Sequence, residues 1–527
     1  MRTTRRRFLA GLGLGALALG GGVLYKVHEY RRRKLAGTRF EGRAARLSEL
    51  PRDHVHDVCI IGSGMAGAVL GIDLASRGLD VLILEAGDAF ENFGKDPRYG
   101  RISLARSVGE IEYPIQASRI MALGGTTNIW TGRCARLHPI DFARNAYTPA
   151  ETGWPFGYDE FAPWYRRAEK TLNVRGGPLS KYHAPRTEPL PPDESQSIEG
   201  LRQLLSPLGI TVDPSPTSHS SHGGPVRAAG DLLPRFVALR SATLVSGAMV
   251  TRLVADASGT IRHAEVRDPD RTLRQIRARR FVVAAGAVES ARLLLLSRSD
   301  SFAEGLGNAG GHVGRWFTEH PNLNFSGRIE HTLETLSPQY EIGRSHQFYD
   351  DFKQRGLGSM ILVLMQSWIY PEDLRLKDLS RIASRLVQAE LHMSTTLEMK
   401  PDPNNRVRLS DSARDLFGNP VAEIDIRFTE DDLRTQEAAR RTVMDIFDRL
   451  GASGVEEHEL SWSHHHIGTC RFSETPEQGV VDARLRVHGC RNLYVLGSSV
   501  FVTGGASHPT LAITALAHRL ADHLLGG

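Results

Sequence analysis

Two short apolar runs, separated by a glycine-rich turn and a helix-like segment, form the clearest pattern in the chain. Val58–Ile61 and Val81–Leu84 contain no charged side chain, as expected for strands buried on both faces of a sheet. Between them, a G-x-G-x-x-G turn of Gly62, Gly64 and Gly67 leads into residues of helical character. The pattern predicts a strand, a tight turn, a helix and a second strand.

This arrangement predicts a dinucleotide-binding site. The three glycines let a pyrophosphate approach backbone N–H groups at the start of the helix. Glu85 ends the second strand, 18 residues after Gly67, where a carboxylate accepts hydrogen bonds from a ribose diol. A glycine triplet also occurs in ordinary strand-to-helix turns, so the prediction depends on the strand, helix and acid around it.

Further apolar runs predict that the chain leaves this domain and returns to it. Short β-branched runs at 244–254 and 280–285 have the length of strands, and the second leads through Gly286 into a helical segment. A re-entered domain of this kind suits a large flavin better than a compact nicotinamide unit. The other patterns predict helices at 155–174 (N-cap Asp159), 430–450 and 511–525, a strand at 389–399, and a surface excursion over 176–224.

We therefore expect an α/β fold: a Rossmann-like FAD-binding domain, discontinuous in sequence, with a second α+β substrate domain. A chain of 527 residues is long enough for both. The predicted segments are 1–50 for a leader and linker, 52–135, 225–320 and 461–527 for the FAD-binding domain, and 136–224 and 321–460 for the substrate domain.

The net charge of +5 comes from the N-terminus. Residues 1–46 hold 12 Lys and Arg against 2 acids, which leaves 53 against 58, or −5, in the remainder. Since the basic residues form a leader and not a patch on a folded face, the charge gives no support for nucleic-acid binding.

The leader resembles a twin-arginine export signal. A run of three arginines, which contains the arginine pair of such a signal, precedes Phe8 in TRRRFL, and a Gly/Ala/Leu run without charge continues to Tyr25. The alternative is a basic amphipathic arm. We expect export to the periplasm or the outer face of the cytoplasmic membrane, with membrane contact only through an uncleaved leader. Cleavage at Ala16-Leu17-Ala18 and retention as an anchor both stay open.

The four cysteines give no sign of a metal or haem. Cys59, Cys134, Cys470 and Cys490 form no C-x-x-C pair. An oxidising compartment would permit a disulfide, but none is predicted from the spacing.

Beyond GSGMAG with Glu85, several separated blocks resemble the glucose-methanol-choline (GMC) oxidoreductases, which are FAD enzymes, from about residue 55 to the C-terminus. They are GGTTNIW, WPFGYDEFAPWYRRAE, AAGAVESARLLLLS, GLGNAGGHVGRWFTEHP, PDPNNRVRLS, HHIGTCRF and GGASHPTLAITALAHRLADHL. The Trp130-Thr131 pair further resembles the pyranose oxidase and sugar dehydrogenase branch.

The resemblance implies that His465 is the catalytic base and His508 its partner, both facing the flavin. Hydride loss from an alcohol carbon requires loss of the hydroxyl proton, and imidazole has a suitable pKa. A second donor then holds the alkoxide-like oxygen. Three consecutive histidines could instead bind a metal, but in an extended strand His464 and His466 would face away from His465. No metal site is predicted.

The resemblance also implies the cofactor contacts. They are Gly62, Ser63, Gly64, Met65, Ala66, Gly67, Glu85, Gly124, Gly125, Asn128, Thr131 at the flavin edge, Val250 by its backbone, Gly286, Gly497, Ser498 and Thr510. Some relatives have a flavin-linking histidine just before the tryptophan. Because Ile129 stands there and cannot form that bond, we expect dissociable, non-covalent FAD.

The expected function is oxidation of a CH–OH group of a sugar or polyol by hydride transfer to flavin N5. Electrons would leave to a quinone, a cytochrome or a small partner subunit. Three alternatives stay open: an oxidase that uses O₂, a redox-neutral FAD-containing lyase, and a non-catalytic subunit of an envelope complex.

Overall fold

The computed structural model describes residues 37–332, 341–368 and 386–526. The strands in these ranges are β1 Val55–Ile61, β2 Val81–Leu84, β3 Ala105–Ser107, β4 Val174–Arg175, β5 Thr217–Ser218, β6 Ala242–Val245, β7 Met249–Ala255, β8 Ile261–Arg267, β9 Leu273–Val283, β10 Pro321–Thr332, β11 Glu341–Ser345, β12 Met360–Trp368, β13 Leu386–Leu397, β14 Arg406–Arg414, β15 Pro420–Asp425, β16 Ser453–Trp462 and β17 Leu493–Val495.

The α-helices are α1 Met65–Ala75, α2 Pro97–Ile102, α3 Pro139–Phe142, α4 Tyr158–Thr171, α5 Glu199–Leu205, α6 Leu233–Val237, α7 Gly286–Leu296, α8 Gln347–Gln354, α9 Glu430–Arg449 and α10 Thr510–Gly526. The predicted helices at 430–450 and 511–525 thus form with nearly the predicted bounds.

The first sheet has seven strands in the order β6-β2-β1-β9-β8-β7, with β17 also paired to β9. Strands β6, β2, β1, β9 and β17 run parallel, whereas β7, β8 and β9 form an antiparallel meander. Every residue of β2 is buried, as its apolar sequence predicts. The carboxyl ends of β1 and β2 meet at one edge, which brings the glycine turn beside Glu85.

The second sheet is antiparallel, in the order β11-β12-β13-β10-β16. The long helix α9 packs on it, and its Val443 and Phe447 share an apolar core with Phe325 and Leu391 of the sheet. The fold is therefore α/β with two sheets, one mostly parallel and one antiparallel.

Strands of the first sheet come from residues 55–84, 242–283 and 493–495, inside the three segments predicted for the FAD-binding domain. Residues 136–224 pack differently from expectation. Helix α4 lies against α10, and its Phe161 and Tyr165 join the main core of the first sheet. The stretch 176–224 is more than a surface excursion, because Leu201 and Leu205, one turn apart on α5, are buried in the second core.

The N-cap predicted for the helix at 155–174 is wrong, and most of the predicted leader lies outside the described residues. Helix α4 is N-capped by Gly157, and Asp159 instead lies in its first turn, where its charge suits the helix dipole. Residues 1–36 of the predicted leader are not among the described residues. Within those that are, no helix is long and apolar enough to cross a membrane. All four cysteines are free and buried.

Candidate active site

The turn after β1 has the shape that a bound pyrophosphate requires. Gly62 has a φ of +107°, and a Cβ there would meet the Ala284 carbonyl oxygen at 2.5 Å. A Cβ on Gly67 would clash with the Gly62 carbonyl, so α1 can approach β1 only with glycine at this position. Gly64, in contrast, has no heavy atom within 4 Å of its Cβ position. The middle glycine therefore leaves space open above the N-terminus of α1.

Glu85 is buried beside this turn and already holds it together. One carboxylate oxygen accepts hydrogen bonds from the Ser63 backbone N–H at 3.0 Å and the Ser63 hydroxyl at 2.7 Å. The other accepts from the Gly87 N–H at 2.9 Å. Burial raises the pKa of Glu85, and these hydrogen bonds act in the opposite direction. The residue thus fixes the turn as well as lining the cavity predicted for a ribose.

The GGTTN segment packs directly onto the glycine turn. Gly124 and Gly125 have φ of +85° and +57°, and a Cβ on Gly125 would lie 3.3 Å from the Cα of Gly64. The Gly124 N–H donates to the Ser63 hydroxyl at 3.0 Å. Asn128 turns inward and donates to the Leu123 and Gly125 carbonyls at 2.8 and 3.0 Å. The backbone of this segment therefore packs closely against the glycine turn, as its glycines predict.

A single cavity of about 410 Å³ brings most of the predicted site together. Its lining includes thirteen of the sixteen predicted cofactor contacts: Gly62, Ser63, Gly64, Met65, Ala66, Glu85, Gly125, Thr131, Val250, Gly286, Gly497, Ser498 and Thr510. Both predicted catalytic residues, His465 and His508, line it as well. The other three predicted contacts do not line the cavity but support the loops behind it; they are Gly67, Gly124 and Asn128.

His465 is buried and held at two points. Its backbone N–H donates to a carboxylate oxygen of Glu319, and its Nδ1 lies 2.8 Å from Nδ1 of His320. Burial and, secondarily, neighbouring His508 hold the pKa of His465 well below its ordinary value. The imidazole is therefore neutral at neutral pH and can accept a proton.

His508 stands next to His465, with ring centroids 5.0 Å apart. Its Nδ1 is buried and has no hydrogen-bond partner among the described residues. Burial and then the nearby Arg344 and Arg133 guanidinium groups hold the pKa of His508 well below its ordinary value. A neutral imidazole here can donate a hydrogen bond to a substrate oxygen.

The expectation of an extended strand through the three histidines is wrong. His464 has a φ of +61°, in the left-handed region, and all three residues line the same cavity. His466 faces Tyr113, with Nε2 2.8 Å from the hydroxyl, and burial lowers its pKa to about 3. The turn is held by pairing with a segment that is distant in sequence. Thr318 and Ile467 exchange two backbone hydrogen bonds, each of 3.1 Å.

The loop that carries His508 rests on a buried ionic cluster that the sequence interpretation missed. Lys353 forms ion pairs with Asp141 and, at 3.1 Å, with Glu398. Glu398 accepts the Gly505 N–H at 3.1 Å, and the Tyr349 hydroxyl accepts the Ala506 N–H at 3.2 Å. Burial alone would lower the pKa of Lys353, but the two carboxylates outweigh it and raise it.

Glu319 and His320 were also missed as individual residues. They stand inside the block GLGNAGGHVGRWFTEHP, directly after Thr318, and nothing local connects His320 to a histidine 145 positions later. Their burial distinguishes them only once the fold is known.

The observed cavity fits an FAD group, because it has three features of a dinucleotide cradle. There is open space above Gly64, there is no room for a side chain at Gly62 or Gly67, and Glu85 is buried beside the turn. Two neutral imidazoles lie in the same cavity. Fold and site together define an FAD-dependent oxidoreductase.

Comparison with known proteins agrees with this class and narrows it. A family model described as FAD dependent oxidoreductase matches residues 57–301, and one described as GMC oxidoreductase matches residues 401–517. Paromamine 6'-oxidase of Streptomyces fradiae is 31% identical, over 90% of this chain and 92% of its own length. The chain belongs to the GMC oxidoreductase family.

Two further proteins are similar over most of their length. The fructose dehydrogenase large subunit of Gluconobacter japonicus is 26% identical, over 89% of this chain and 97% of its own. A formate oxidase structure from Aspergillus oryzae shares the fold, with a TM-score of 0.62 at 17% identity, covering 90% of this chain and 99% of that one.

Proposed function

We propose that this FAD enzyme oxidises a CH–OH group of a sugar or polyol, with His465 as the base. The observation that carries the proposal is the position of His465: its Nδ1 faces His320, so its Nε2 is the ring nitrogen left for a substrate in the cavity that holds the dinucleotide cradle. Relatives named for oxidation of paromamine, fructose and 2-methyl-1,2-propanediol support an alcohol substrate.

The histidines divide the work on the hydroxyl group. His465 accepts the hydroxyl proton, and His508 donates a hydrogen bond to the oxygen as negative charge develops there. Both rings are neutral because burial lowers their pKa values. When bound, FAD supplies the acceptor for the hydride that leaves the same carbon.

The experiment is anaerobic mixing of the flavin-loaded enzyme with a panel of sugars and alcohols while the flavin absorbance is followed. Bleaching by one compound class is the expected result. His465→Ala should lower the bleaching rate at least about 100-fold, the scale of general base catalysis. Unchanged bleaching in the variant would contradict the role of His465, and a flavin that no compound bleaches would favour a redox-neutral lyase.

We further propose that the FAD is dissociable. Ile129 lines the cavity just before Trp130 and offers no nucleophile for a covalent bond to the flavin. Denaturation in acid should therefore release yellow FAD into the supernatant. Flavin retained by the precipitated protein would contradict this.

We propose that the enzyme is a dehydrogenase that passes its electrons to a quinone, a cytochrome or a small subunit. We also propose that it is exported by the twin-arginine route to the periplasm or the outer face of the cytoplasmic membrane. Two observations support this: the sequence TRRRFL with its apolar run and the similarity to a chain named as a large subunit. Fractionation of cells with and without Arg5→Lys/Arg6→Lys tests export. Hydrogen peroxide formed at the rate of substrate oxidation would instead indicate an oxidase.

A further inference from the structure

Two arginines beside His508 lack the acidic partner that buried arginines elsewhere in the molecule have. Arg136 binds Glu169 at 2.6 Å and Arg292 binds Asp415 at 2.6 Å, both pairs buried. Neither Arg133 nor Arg344 has a carboxylate within 4.0 Å in the part of the chain that the structure describes. Unpaired buried charge is costly, so such a pair points to a ligand that supplies the missing anion.

Arg344 is the more deeply buried of the two, with 8% of its surface exposed. Its guanidinium donates to the Ser215 hydroxyl, and its Nε is buried without a partner among the described residues. Asp213 pairs with Arg344 only through the backbone, at 2.8 and 2.9 Å. The Asp213 carboxylate is used elsewhere, by the Ser180 hydroxyl at 2.5 Å and by His183 at 3.3 Å.

Arg133 connects Arg344 to the main cavity. A small side cavity of about 10 Å³ is lined by both arginines together with Ser215, His346 and His508. Arg133 and His508 also line the large cavity, so the two spaces adjoin at these residues. Asp193 is the carboxylate that raises the pKa of Arg133, but it pairs with His219, at 3.1 Å. The positive charge therefore faces the place where the substrate oxygen is held.

We propose that Arg133 and Arg344 form a carboxylate subsite, so that the substrate is an anionic polyol such as a sugar acid. This rests on the proposed function, because it assumes a substrate hydroxyl between His465 and His508. Guanidinium groups match the two oxygens of a carboxylate in geometry and charge. The side cavity has room for about one water-sized group, so it can take at most one carboxylate oxygen, and the rest of the carboxylate must lie on the side of the large cavity that Arg133 and His508 also line.

The carboxylate takes no part in the redox step. The hydroxyl proton goes to His465, and the carbinol C–H would leave as hydride with both bonding electrons, for which bound FAD would supply the acceptor. The carbinol becomes a carbonyl, and the carboxylate stays bound to the arginines unchanged.

The test uses the flavin-loaded enzyme and five compounds that share a six-carbon skeleton but differ in charge: glucose, gluconate, glucuronate, glucosamine and glucose 6-phosphate. Anaerobic flavin bleaching gives the second-order rate constant for each. We expect the two sugar acids to exceed glucose and glucosamine by at least about 100-fold, the scale lost when a paired buried charge is missing. A sugar phosphate faster than both sugar acids would overturn the carboxylate assignment in favour of a phosphate.

Variants test the arginines directly. Arg344→Gln and Arg133→Gln should remove most of the preference for acids over neutral sugars, and Arg344→Lys should keep part of it. Arg408→Gln is the matched control, because Arg408 is a half-exposed arginine that pairs with Glu423 at 3.1 Å. Flavin content and melting temperature confirm that each variant is folded.

The outcomes separate the two proposals. Bleaching by neutral or amino sugars as fast as by acids would overturn the subsite and leave the proposed function standing. No bleaching by any charge class would contradict the proposed function itself. A preference for acids that survives in both Gln variants would assign the selectivity to other residues.

Discussion

His320 and His465 face each other through the same kind of atom, with their Nδ1 nitrogens 2.8 Å apart. One of these nitrogens must carry a proton and the other must accept it. Burial lowers the pKa of His320 to about 4, with the Gly505 backbone acting in the opposite direction, and its Nε2 is buried without a hydrogen-bond partner among the described residues. The proposed role of His465 as base assigns the proton of His320 to Nε2, which makes its Nδ1 the acceptor. His465 then carries its own proton on Nδ1, which leaves the Nε2 lone pair free for the substrate.

His320 is therefore a positioning residue for the proposed base. His320→Ala should lower kcat by about 10- to 100-fold, the usual loss when the partner that orients a histidine is removed. The Michaelis constant should change little, because the ring binds no substrate. His320→Asn should recover much of the rate, since its amide oxygen can accept from His465 at the same place. Equal losses in both variants would argue for a purely structural role.

The pH profile reports on the proton state of His465. Burial holds its pKa well below the ordinary value, and the base is active only when unprotonated. As pH falls, activity is therefore lost only when the pH reaches that lowered pKa. We expect kcat/KM for a neutral alcohol to stay level from pH 8 to below about 6.5, the ordinary imidazole pKa. Loss of activity centred at or above that value would contradict the buried, neutral base.

Glu319 offers a test that needs no substrate. Burial raises its pKa well above the ordinary value, with backbone N–H groups acting in the opposite direction, so the folded protein keeps it protonated to a higher pH than the unfolded chain does. The unfolded chain ionises it near pH ~4.3. Between the two pKa values the folded state binds more protons, and its contribution to stability falls as pH rises. Glu319→Gln, which keeps the acceptor for the His465 N–H, should remove this slope.

The measurement is the melting temperature of both proteins between pH 4 and 8. The variant should gain over the wild type as pH rises, and the two should converge near pH 4. Glu110→Gln is the control, because the Glu110 side chain is largely exposed. A difference that is constant across this range would show that Glu319 has the same proton state folded and unfolded.

The sequence predicts those features whose conformation is determined by residues nearby in the chain. The turn at Gly62 and the buried strand Val81–Leu84 follow from neighbours within a few residues, so their patterns predict them well. The turn at His464 has a distant cause. Backbone pairing of Ser463 with His320 and of Ile467 with Thr318 fixes that segment, and no period along the chain indicates it.

The same reasoning explains the residues that were missed. Lys353 of α8 and Glu398, directly after β13, support the His508 loop from more than 100 residues away in sequence. Each resembles an ordinary surface charge when the chain is seen alone. Their burial becomes visible only when the fold brings Lys353 against Glu398 and Glu398 against the Gly505 N–H.

The cradle itself can be tested with a matched pair of glycine variants. Gly64 has a φ of −65° and open space at its Cβ position, so alanine fits the protein there but projects into the space for the pyrophosphate. At Gly67 a Cβ clashes with the Gly62 carbonyl, inside the contact between α1 and β1. Gly64→Ala should therefore leave the melting temperature of the apoprotein unchanged and weaken FAD binding by at least about 10-fold, or 1.4 kcal/mol. Gly67→Ala should destabilise the apoprotein as well. Titration of both apoproteins with FAD, together with their melting curves, separates the two effects. Tight FAD binding by Gly64→Ala would place the pyrophosphate somewhere other than above α1.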